Sequence, residues 1–205
     1  MPNFDIVQVI IAFTVLLVSL TVHEMAHAWS ADRLGDPTAR LLGRITLNPV
    51  AHADPIGTVL FPLIALVTGA PLIGWAKPVP VDIRRLPNQY RDFVLIAAAG
   101  PASNIILAVG SALIVMAAPL PVPLGAFFQR MVIVNVLLAV FNMLPIPPLD
   151  GGNVLSGLLP RHLGRMVDQI RPYGFLILYA VILTDAFRYL VARPSNFLIN
   201  LLLPL

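Results

Sequence analysis

His23-Glu24-Met25-Ala26-His27 sets two imidazoles four residues apart with a carboxylate between them. On a helix this spacing turns the second ring only about 40° from the first, so both can reach one ion while Glu24 projects beside them, free to hold a water. A catalytic zinc takes three protein ligands and keeps a fourth position open, so a third donor must come from elsewhere in the chain. The sequence has no cysteine and only four histidines. That excludes thiolate sites and a disulfide framework, and leaves His, Asp and Glu as donors. Asp150 is the best candidate. It closely follows a later apolar run, and Gly151 and Gly152 behind it let the backbone approach closely. On local sequence alone, a simple Asp-Gly turn reads equally well.

The elements that must position these groups are apolar. Of 205 residues, 58% are hydrophobic and 11% charged, with mean hydropathy +0.87. A soluble domain carries about 25% charged residues, so a water-soluble globule is excluded and a single membrane-embedded domain over 1–205 is expected. The class is an all-α polytopic membrane protein. The net charge of +3 is spread over loops, which gives nucleic-acid binding no support and suits an anionic lipid leaflet. Ile6 to about Trp29 is a first span, Asp92 to Pro119 a second, and Phe127 to about Leu144 a third. Phe175 to Val191 reads as a shorter last one. Ala26-His27-Ala28 mimics a signal-peptide cleavage site, but no basic residue precedes the run and the run is too long.

Between the first two spans, the block from Ile56 to Ile73 is broken by Pro62, Gly69 and Pro71. Gly74 to Arg91 follows, and its alternation in Trp75, Lys77, Val79 and Val81 predicts a short extended ribbon. Seven Arg and Lys lie between Arg33 and Arg91 and three between Arg161 and Arg171, with none between the second and third spans. By the positive-inside rule the two basic regions are cytoplasmic and the N-terminus is outside. The ends of the first and third spans then meet at the cytoplasmic face, which brings Asp150 level with His23 and His27. A full crossing by 56–73 would reverse this order, so that block is expected to be re-entrant or on the membrane surface. The apolar tail Asn196–Leu205 is too short to cross and should lie in the interface or pack on the bundle.

With these residues in place, the sequence resembles the site-2 protease family of intramembrane zinc metalloproteases. One motif is His23 to His27. The second runs from Asn142 through Pro145 to Asp150 and Gly151 and is similar to the family's NxxPxxxxDG pattern. A third, Gly100-Pro101-Ala102-Ser103-Asn104, is similar to its GPxxN. The resemblance covers roughly Ile6 to Asn153. It implies a core of three long transmembrane helices, joined here by the re-entrant or surface segment, the ribbon and a further C-terminal helix. It also implies one Zn²⁺ per chain on His23, His27 and Asp150. Glu24 would activate the zinc-bound water and pass its proton to the leaving amine, while Asn142 would hold the substrate carbonyl or its oxyanion. Transmembrane segments of other membrane proteins are the implied substrates. The implied setting is a multi-pass protein of the cell membrane with its active site near the cytoplasmic face. These 205 residues leave no room for the PDZ or nucleotide-sensing domains that many members carry.

Other readings stay open beside these. A metal-binding membrane scaffold or transporter would use the same three ligands without cleaving a bond, although it has no need of Glu24. Taken alone, Asn142 reads as well as an interhelical hydrogen-bond contact, and Asn104 as helix packing or support for a ligand. His52 and Asp54, among prolines, suit turns and caps better than a second metal site. His162 between Arg161 and Arg165 suits a solvated or lipid-facing surface. The ribbon reads equally as an edge for an extended substrate and as an interfacial anchor through Trp75 and Lys77.

Overall fold

The computed structural model describes residues 6–68, 74–117 and 119–203. In chain order the α-helices are α1 (Ile6–Arg33), the single turn α2 (Thr38–Leu41), α3 (Phe61–Thr68), α4 (Gln89–Ala117) and α5 (Val122–Asn142). They are followed by α6 (Asp150–Leu158), α7 (Arg161–Ile170), α8 (Gly174–Leu183), the short α9 (Asp185–Phe187) and α10 (Arg193–Leu202). Four stretches are long and apolar enough to cross a membrane: Ile6–Arg33, Gln89–Ala117, Val122–Asn142 and Arg161–Leu183. At 28 residues, α1 extends about 42 Å, beyond the roughly 30 Å of hydrocarbon. Its last turns can therefore stand at the membrane boundary.

Helices α1, α4 and α5 form the core. Lipid is as apolar as leucine, so close packing rather than water exclusion joins helices here, and small residues allow it. Helix α4 buries Ala97, Gly100, Ala108, Ser111 and Ala112, and α5 buries Val132, Val136 and Ala139. Ile11 and Val15 of α1 meet Met131 of α5 in one apolar cluster. Ala108, Ala112, Val132 and Val136 form a second, covered by Leu198, Ile199 and Leu202 of α10. The C-terminal tail thus packs on the bundle, one of its two expected positions.

The last span differs from expectation. Its apolar length falls at 161–183, and the helix breaks at Thr184, which adopts an extended conformation (φ −118°, ψ 171°), so 175–191 is not one continuous helix. Between α1 and α4, a π-helical turn at Pro55–Leu60 runs into α3, and the two are too short to span. Their expected path through 69–73 lies outside the described residues.

The expected ribbon is a single extended strap over 74–82 with no strand partner among the described residues. The N–H groups of Trp75, Lys77 and Val79 all donate to one side, to the Gly57 carbonyl, the His52 carbonyl and the Glu24 carboxylate. Ala76 between them is buried against Leu16 and Leu20 of α1. This alternation is that of a strand, but Pro78 and Pro80 carry no donor for a second edge. At its end the Asp82 N–H donates to Asp36 Oδ2 at 2.7 Å. The Arg84 side chain bonds the Asp82 carboxyl and holds its pKa down at about 2.

Candidate metal centre

One helical turn separates His23 from His27 on the buried face of α1, and their rings meet edge to face with centroids 4.7 Å apart. Asp150 opens α6, just after the proline-rich turn that ends α5. Added Cβ atoms at Gly151 and Gly152 would strike the 143–147 backbone, so only glycine lets α6 fold back this tightly. As a result Asp150 Oδ2 lies 3.1 Å from His23 Nε2 and 3.3 Å from His27 Nε2, and the two Nε2 atoms are 3.1 Å apart. A Cβ on Gly100 would run into both Nε2 atoms, so glycine there leaves the space open.

The other ring nitrogens fix the protonation pattern. His27 Nδ1 faces the Ile96 carbonyl at 2.7 Å, and a carbonyl only accepts, so Nδ1 carries the proton. His23 Nδ1 faces Asn104 Oδ1 at 2.6 Å. The Asn104 amide is oriented by its Nδ2, which donates to Asn135 Oδ1 at 2.7 Å and to the Ser19 carbonyl at 3.3 Å. Both rings therefore direct their Nε2 atoms at each other and at one carboxylate oxygen. That oxygen, Asp150 Oδ2, is buried without a hydrogen-bond partner. These three atoms converge within 4.8 Å of one another, close enough to hold one metal ion between them. Two nitrogens and one oxygen with an open side suit zinc, and the protonated Nδ1 atoms give the second-nitrogen hydrogen bonds typical of zinc-binding histidines.

Glu24 is half-buried beside this group, and its Oε2 accepts the Val79 N–H at 3.1 Å. Asn142 ends α5 half-buried, with its Nδ2 donating to the Leu138 carbonyl one turn back; no hydrogen bond joins it to the His-His-Asp group. His52 stands apart, donating from Nε2 to the Thr46 carbonyl, while Asp54 caps Ile56 and Gly57. His162 is exposed on α7. Among the described residues, His23, His27 and Asp150 are the only metal-binding group of this kind. Sequence reasoning missed Ser19 and Asn135, both fully buried. The signal it could have used was a lone amide in an apolar helix, together with a serine one turn before His23.

The sequence profile of peptidase family M50 matches residues 11–121 and 120–184. YwhC of Bacillus subtilis is 40% identical over 88% of this chain and 84% of its own length. Rip2 of Mycolicibacterium smegmatis is 31% identical over 83% of this chain and 65% of its own length. Both carry the words zinc metalloprotease in their names. No solved structure matches.

Proposed function

Since this chain belongs to peptidase family M50, the site-2 protease family, and is a membrane-embedded zinc metalloprotease, we propose that it hydrolyses peptide bonds in or near transmembrane segments of other membrane proteins, as a single domain, at the cytoplasmic face of the cell membrane. His23, His27 and Asp150 hold one zinc ion. Zinc bound there acidifies a water and polarises a carbonyl. Glu24 takes the proton of the attacking water and returns it to the leaving nitrogen. Asn142 steadies the substrate carbonyl, its amide exchanging the Leu138 carbonyl for the substrate.

The observation that carries this reading is the meeting of three possible ligand atoms beside a carboxylate that is not itself part of the donor set. The cytoplasmic position is supported by the basic residues between Arg33 and Arg91. A helical substrate must unwind before it is cut, because its carbonyls are already hydrogen-bonded, so segments with helix-weakening residues are favoured.

The test is cleavage of model transmembrane substrates by the purified protein in liposomes, with zinc counted on the same samples. Glu24→Gln should keep its zinc and lose about 10²–10⁴-fold in rate. Bound zinc with no cleavage by the unsubstituted protein across a broad substrate panel would instead assign the site to a metal-binding scaffold.

A further inference from the structure

Arg44 is 6% exposed, and no carboxylate lies within ion-pair distance of it among the described residues. A buried, unneutralised guanidinium is costly unless its contacts are needed. Its Nη2 donates to the Lys77 carbonyl at 2.5 Å and its Nη1 to the Pro78 carbonyl at 3.4 Å, while Nε has no partner. His52 Nδ1 lies 3.5 Å from Nη2, and the His52 carbonyl takes the Lys77 N–H at 2.8 Å. Arg44 therefore grips the strap from outside its own loop, across more than thirty residues of chain. The next residue of the strap is Val79. It lies between Pro78 and Pro80, so it has the one N–H of those three residues, and that N–H is spent on Glu24 Oε2.

We infer that Arg44 is a positioning residue for hydrolysis: through the Lys77 and Pro78 carbonyls it fixes the strap so that the Val79 N–H holds one oxygen of Glu24. The other oxygen is then left to face the attacking water. An unheld glutamate samples several rotamers, and a misplacement of about 1 Å in a catalytic group costs about 10²-fold in rate. This inference rests on the protease reading, in which Glu24 is the base.

The experiment is a double-mutant cycle on the full-length protein in liposomes, with zinc content, kcat and KM measured for each variant. Arg44→Ala should lower kcat by about 10–100-fold with zinc retained and KM within about twofold. Arg44→Lys, which keeps the charge but not the planar fork, should recover part of the loss. Val79→Pro removes the N–H and sets the ring Cδ in its place, at a position that Pro80 already restricts to extended conformations, and should lower kcat to at least a similar degree. Arg44→Ala combined with Val79→Pro should be little slower than either single variant, because both break one linkage. Full kcat in Arg44→Ala, or losses that multiply in the double variant, would overturn the inference while leaving the protease reading standing. Loss of zinc or of folded protein in both Arg44→Ala and Arg44→Lys would make Arg44 a scaffold residue and overturn it too. Absence of cleavage by the unsubstituted protein would instead sink the protease reading.

Discussion

Two polar clusters sit one turn apart on the buried face of α1 and differ in what their polar atoms can hold. The deeper one joins Ser19, Asn104 and Asn135, all fully buried, and every donor in it has an acceptor. Ser19 Oγ donates to the Val15 carbonyl, and Asn135 Nδ2 donates to Ser19 Oγ and the Met131 carbonyl, at 2.7–2.9 Å. The cluster nearer the boundary, His23, His27 and Asp150, brings three possible metal-ligand atoms within 4.8 Å of one another. The deeper cluster is complete without a ligand and ties three helices together, whereas the other is a group that could hold a cation. The hydrogen bond from His23 Nδ1 to Asn104 joins them, so the deeper network holds the other group in position.

The strongest test of this contrast removes a donor from the second cluster. His27→Ala should bring zinc from one per chain to near none and cleavage to background, while the thermal transition of the metal-free protein barely moves. Elemental analysis and a melting curve on one sample check both parts. A large loss of metal-free stability would mean that the histidine serves packing, and the contrast would fail.

Next comes the joint. Asn104→Leu removes the acceptor that keeps His23 Nδ1 protonated and its Nε2 bare, and should weaken zinc binding by about 10–100-fold, measured by competition with a chelator. Asn135→Leu lies one step further from the ion. It leaves Asn104 Nδ2 and Ser19 Oγ short of a partner and should cost about 1–2 kcal/mol of stability, with zinc affinity changed less than in Asn104→Leu. The reverse order of zinc effects would break the picture of one cluster positioning the other.

The same contrast explains what the sequence made legible. His23, Glu24 and His27 are read directly because one helix turn delivers them. Asp150 is read mainly from the resemblance of 142–151 to the family's second motif, with the expected order of spans bringing it level with His23 and His27. Ser19 and Asn135 take their meaning from partners 31 to 116 residues away, and Arg44 from carbonyls more than thirty residues on, so local pattern marks the first two only as polar groups in apolar helices and names none of their partners. The extended character of 74–82 is visible in its alternation, but that the strap grips Glu24 is not. The break at Thr184 is hidden because hydropathy runs on across it.

The smallest effect concerns the strap, which reaches Glu24 beside the second cluster. Asp82 anchors its far end, and the Arg84 guanidinium holds the Asp82 carboxyl at about 2 against an ordinary 3.8. Because the folded value is the lower one, this contribution is whole above about pH 4 and is lost as pH falls through about 2. Asp82 is solvent-accessible, so the contribution is minor and screened by salt. Trp75 sits in the strap against Phe61, and the only other tryptophan is Trp29. In a Trp29→Phe background, Trp75 emission should stay level from pH 7 to about 4 and shift below that. Asp82→Asn should remove the acid phase attributable to this carboxyl while leaving zinc binding at pH 7 unchanged. An acid shift of the same size in both proteins would mean that the strap is held from its Glu24 end alone.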